Sequence, residues 1–168
     1  MQLHIIVVAR GFKIDVDAYM NEKQNDATPS DAVTDAWIGL MRAQQRLLGQ
    51  IEADLKSAGL PPLSWYDVLW ELVRSPQGRL RPFEIEERTL LAQYNLSRLI
   101  DRLEKAGLVQ RETFDQDGRG QWVVVTEDGR SLQKRMWQVY ARAIEDNFGA
   151  KLSTADAAAL TSLLARFS

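Results

Sequence analysis

The chain has 168 residues, 45% of them hydrophobic and 26% charged, enough apolar content for one packed domain with helical extensions. With no cysteine, disulfides, thiol redox chemistry and thiolate metal sites are excluded. The net charge of −2 does not mark a nucleic-acid binder, but residues 74–135 carry 12 basic and 10 acidic side chains and favour Arg over Lys.

No apolar run approaches the ~20 residues of a membrane helix. The longest, Leu3–Ala9, contains His4 and is followed by Arg10. It lacks a basic leader and a small-residue cleavage site, so no secretory signal is expected and a cytoplasmic location is. Leu3–Ala9 reads as a short buried strand. Asn21–Ser30 is a polar linker, and Met20 offers a second start. Residues 1–28 are therefore an extension or linker of unassigned function.

A long helix is expected over 29–58, with Thr28 as its cap, Pro29 in the first turn and Asp31 as the capping-box acid. Trp37, Leu40, Met41, Leu47, Leu48, Ile51 and Leu55 recur at helical spacing. Gly59, Pro61 and Pro62 end it. Ser64 suits the cap of a second helix carrying Trp65, Val68, Leu69 and Leu72, which stops at Ser75–Gly78. Pro82 opens a short helix with Phe83 and Ile85. After a turn near Thr89–Leu91, a further helix spans about Ala92–Lys105, its buried stripe made of Leu96, Leu99, Ile100 and Leu103. Gly107 caps it.

The period then changes to two. Leu108–Phe114 and Gln121–Thr126 read as strands joined by the turn-rich loop Asp115–Gly120. Thr126 caps the next helix, with Glu127 and Asp128 suited to its first-turn dipole. Leu132, Met136, Val139, Tyr140, Ala143, Ile144 and Phe148 run along it, and Gly149 stops it. Ser153 with Asp156 starts a last helix holding Leu160, Leu163, Leu164 and Phe167.

Short helix, turn, helix and two-stranded hairpin make a winged helix-turn-helix. The fold class is mainly α with a two-stranded β-wing. The winged domain occupies 63–126, and 29–58 with 127–168 form a helical dimerisation region. The second helix of such a unit fits the DNA major groove.

Residues Ser97–Val109, Asp117–Gly120, Thr126–Gly129 and Leu80–Ile85 resemble the MarR family's recognition helix, wing, entry to the dimerisation helix and first helix of the helix-turn-helix. The resemblance covers about residues 31–168. It implies a dimeric bacterial transcription regulator, not an enzyme, that binds double-stranded DNA and responds to a small aromatic or phenolic effector. Arg81 stands where the family often has Ser or Thr before the proline. Thr89–Asn95 replaces its usual small-polar turn, so the target sequence is not carried over.

Gln93, Tyr94, Asn95, Ser97 and Arg98 lie on or near the outward face of the recognition helix. Gln and Asn can pair with adenine, and Arg with guanine. Tyr94 suits a phosphate or a thymine methyl. Arg119, between two glycines at the hairpin tip, can enter the minor groove. The resemblance makes Asp117 its positioning partner. Arg111, on the wing strand, can bind phosphate or a nearby carboxylate. The bland alternative for all of these is a solvated surface.

Effector candidates are Trp37, Met41, Trp65 and Asp67. Asp67, Arg98 and Arg111 match positions of the family's urate-responsive branch, though that branch has a tryptophan on an additional N-terminal helix not matched here. The simpler reading makes Trp37, Trp65 and Trp70 core aromatics. His4 is the only histidine. No nucleophile–base pair, phosphate loop or metal-ligand cluster is present in the sequence, so no cofactor, metal or catalytic residue is expected. The rival to the regulator is a winged-helix interaction module that has lost DNA binding.

Overall fold

The computed structural model describes the backbone at Val8–Ala9 and Phe12–Lys13, and residues 28–89, 93–113 and 120–167. The chain divides into two compact units, Met1–Gln44 and Gln45–Ser168. The division falls inside the long helix α1, Asp31–Ser57.

In the first unit, β1 (Val8–Ala9) pairs antiparallel with β2 (Phe12–Lys13). Most of the strand expected at Leu3–Ala9 and most of the linker lie outside the described residues. The start of α1 corrects the expected cap by two residues. Ser30, not Thr28, takes that place: its Oγ accepts the Val33 N–H at 3.4 Å, and its carbonyl accepts from Thr34.

The second unit begins with the end of α1, where Ile51 and Leu55 enter the core. Gly59 stops the helix at φ +69°, with Leu60 N–H donating to Leu55 O and Gly59 N–H to Lys56 O. This is the left-handed stop for which glycine is suited. Helix α2 (Leu63–Arg74) does not use Ser64 as its cap. Pro62 occupies the cap position, and the Leu63 N–H donates to Glu52 Oε1 at 3.0 Å. The acceptor comes from α1, so adjacent sequence could not reveal it.

Helix α3 (Pro82–Arg88) is followed by α4 (Gln93–Lys105). Arg81 supplies a backbone N–H that donates to Glu84 Oε2 at 2.7 Å. Leu96, Leu99, Ile100 and Leu103 are all buried, as their spacing requires. At the end of α4, Gly107 has φ +73°, Leu108 N–H donates to Leu103 O, and Gly107 N–H donates to Glu104 O.

The wing contains a third strand that the sequence pattern does not show. Strand β3 (Arg79–Leu80) pairs with β5 (Gln121–Val125), which pairs in turn with β4 (Val109–Thr113). Both pairings are antiparallel, with Leu80 opposite Val123 and Val109 opposite Val125. Two residues are too short to carry a period, which is why β3 leaves no signature.

Helix α5 (Glu127–Asn147) is capped by Thr126, and α6 (Thr154–Leu164) by Ser153 with Asp156. Six α-helices and two small sheets thus make up the described residues. The core of the second unit joins α1, α2, α3, α4, the wing sheet and α5. Helix α6 buries none of its residues within one chain. No helix among the described residues is long and apolar enough to cross a membrane.

Candidate nucleic-acid interface

Helix α4 has two faces. Its apolar stripe is sealed against the core, while Asn95, Ser97 and Arg98 are exposed. A helix held by its back with polar side chains outward is suited to enter a groove about 12 Å wide. The side chains of Gln93 and Tyr94, and the whole of Asp117 and Arg119, lie outside the described residues.

Arg111 joins the wing to α4. Its guanidinium hydrogen-bonds Asp101 Oδ1 at 2.5 Å and also pairs with the Glu104 carboxylate. Partial burial pulls its pKa down, but the bond to Asp101 and the charges of Glu104 and Asp101 outweigh this, so the net direction is up. Of the two partners expected for Arg111, phosphate or carboxylate, the carboxylates hold it here. These pairs tie β4 to α4 and set a positive charge beside two acids of that helix.

Sequence reasoning noted Arg81 only as a departure at the start of α3 and did not single out Arg79. The Arg79 guanidinium lies 4.8 Å from the Trp122 ring centroid and that of Arg81 lies 5.2 Å from it. The indole π-face attracts both cations. Arg79 also lies 3.8 Å from Glu112. Two arginines therefore gather beside the wing. They could have been suspected only from β5 and β3 being neighbours.

The effector candidates separate. Trp37 and Met41, in the first unit, are 61% and 37% exposed, so Trp37 is not a core aromatic in one chain. Trp65 packs, partly buried, against the core of the second unit. Asp67 instead lines a cavity of about 180 Å³ with Trp70, Glu71, Arg88 and Thr89. Arg98 and Arg111 are not in that lining, so the three positions shared with the urate-responsive branch do not converge there. Burial, followed by the charges of Glu52 and Glu71, pushes the Asp67 carboxyl up to about 6.

Trp70 is 41% exposed, against the expectation of a core aromatic. It stacks on Tyr66 at 6.1 Å and on Trp137 of α5 at 6.5 Å. Tyr140 meets Tyr66 edge-on at 5.1 Å. This four-ring cluster links α2 to α5, and no local pattern announces it.

A core-backed surface helix following α3 and preceding a β-wing defines a winged helix-turn-helix protein. The sequence profile described as MarR family matches residues 58–120. The HTH-type transcriptional regulator PrsX of Escherichia coli is 28% identical over 109 residues, 65% of this chain and 65% of its own length. The chain thus spans just under two thirds of that relative. The crystal structure of AbsC, a MarR family transcriptional regulator from Streptomyces coelicolor, superposes with a TM-score of 0.74 at 28% identity, covering 82% of this chain and 93% of AbsC. BpsR of Bordetella bronchiseptica, whose DNA binding is regulated by 6-hydroxynicotinic acid, gives a TM-score of 0.71 at 24% identity over 83% of this chain and 97% of BpsR. Over its winged-helix segment the chain is thus similar to MarR family transcription regulators.

Proposed function

We propose that this protein is a transcription regulator that binds a double-stranded DNA operator as a homodimer. The observation that carries the reading is the exposed face of α4, with Asn95, Ser97 and Arg98 outward and Leu96, Leu99, Ile100 and Leu103 buried behind it. Asn95 and Arg98, with Gln93 and Tyr94 at the helix start, read base edges. Arg119 enters the minor groove and Asp117 orients it. Arg79 and Arg81 add positive charge beside the wing, and phosphate contact supplies most of the affinity.

The helical segments 29–58 and 127–168 supply the dimer interface. Trp137, Phe148, Leu163, Leu164 and Phe167 are all exposed in a single chain, the last of them by 85%. Leu47, Ile51, Ala143, Ile144 and Phe148 line an apolar groove. Apolar surface of this extent is covered by a partner in soluble proteins, and a two-fold partner presents the second recognition helix. The operator is then near-palindromic, with half-sites about 10 bp apart. A small aromatic or phenolic ligand shifts the balance between arrangements that fit and miss this spacing, as 6-hydroxynicotinic acid regulates BpsR.

Selection of bound duplexes from a random pool tests this, with the mass of the complex measured by sedimentation. A palindromic consensus bound by two chains is expected. Failure to enrich any duplex favours a winged-helix interaction module instead.

A further inference from the structure

The cavity beside Asp67 has chemistry that the fold does not require. Asp67, Trp70 and Glu71 stand at i, i+3 and i+4 of α2, on one face of that helix. Arg88 and Thr89, at the end of α3, form the opposing wall. Glu71 is the unusual member. Its side chain is only 10% exposed, and its Oε2 is buried with no hydrogen-bond partner. Its other oxygen, Oε1, has a long 3.4 Å contact with Arg74. An unpartnered buried carboxylate oxygen is costly unless something donates to it.

We propose that this cavity is a binding site for a small organic ammonium ion carrying an aromatic ring, held by Asp67 and Glu71 with the ring against Trp70. An ammonium group has up to three donors and one positive charge, so it can serve both carboxylates at once. A phenol has a single donor and leaves the repulsion between the acids in place. Trp70 lines the cavity and is 41% exposed, so its indole can meet an aromatic or cationic guest.

Two observations restrict the guest. Arg88 lines the cavity, yet neither Asp67 nor Glu71 forms an ion pair with it among the described residues. No group of three metal-ligating side chains occurs among the described residues, which argues against a metal ion as the guest. The volume of about 180 Å³ restricts the guest to a small molecule. The upward displacement of Asp67 to about 6 agrees with two acids lacking sufficient compensation.

The site rests on the regulator reading and gives its ligand a chemical class. A guest bridging α2 and the end of α3 acts on the helix that leads into α4. It changes DNA affinity to the extent that it binds one arrangement of these helices better than another.

The test is calorimetric titration of the full chain at neutral pH with 2-phenylethylamine, and in parallel with 3-phenylpropionate and 6-hydroxynicotinic acid. One saturable site per chain is expected for the amine and none for the acids at this cavity. Glu71→Gln and Asp67→Asn should each weaken amine binding by about tenfold or more. Thermal melting checks that both variants fold, and either one alone suffices. No amine binding up to 10 mM (roughly the weak limit of specific affinity), or binding indifferent to both variants, overturns the proposal. Acids that bind in an Asp67-dependent way while the amine does not overturn the ligand class but leave a ligand-regulated protein. Calorimetry needs no DNA, so absence of operator binding would defeat the regulator reading separately.

Discussion

The hydroxyl of Thr126 donates to the Gly107 carbonyl at 2.8 Å. The same oxygen accepts the N–H of Gly129 at 3.1 Å, so one side chain ends α4 and begins α5. The proposed reading helix and the proposed dimerisation helix meet at this group. Thr126→Val keeps the shape and removes both bonds. Loss of a cap of this kind costs about 1–2 kcal/mol, to be read from urea unfolding, and DNA affinity should fall with it because the orientation of α4 loosens.

Gly129 is needed for close approach rather than for backbone freedom. A Cβ there would lie 2.2 Å from the Leu108 carbonyl oxygen and 2.9 Å from a Val125 methyl. Backbone cannot swing aside as a flexible side chain can. Gly129→Ala should destabilise by about 2–3 kcal/mol, in the range of overpacking. A variant with an unchanged unfolding midpoint would show that the junction is loose.

Arg111 pairs with Asp101 and Glu104, both partly or largely exposed. Exposed ion pairs add little stability, about 0–1 kcal/mol. Arg111→Met should therefore melt close to wild type. It releases two negative charges on α4, and repulsion of phosphate should weaken duplex binding by about tenfold. Fluorescence anisotropy measures this, and a loss of folding without a separate loss of binding would argue against the positioning role.

Much of the fold was legible because its signals are local. The glycine stop at Gly107, the Thr126 and Ser153 caps and the stripe of α4 all appear within a few residues of sequence. Other features depend on residues far apart in the chain. Glu52 replaces Ser64 at the start of α2, and Arg79 meets Trp122 only through a two-residue strand. The outward face of α4 follows from its spacing, since buried positions determine exposed ones. The cavity does not, because Asp67 and Arg88 belong to different helices and only packing unites them.

Asp67 gives the protein a defined pH response. Its carboxyl lies at about 6 in the folded chain against an ordinary 3.8, so the folded state binds the proton more tightly. Stability then falls as pH rises from about 4 to about 6, and the cost persists above that window. Because the group is partly exposed, solvent screening reduces the cost to the order of 1 kcal/mol. Asp67→Asn should raise the melting temperature at pH 7 and flatten the profile between pH 4 and 6. An equal response in the variant would assign that pH dependence to other groups.

The most direct measurement is the affinity for the selected duplex as salt is raised, compared with a scrambled duplex and with Arg98→Ala. Tight binding to the selected sequence is expected, with log affinity falling linearly and steeply against log salt because several phosphates are contacted. Arg98→Ala should lose about 1–3 kcal/mol of discrimination between the two duplexes. Equal affinity for both sequences at every salt concentration, unaffected by Arg98→Ala, would contradict the assignment of α4 as the helix that reads DNA.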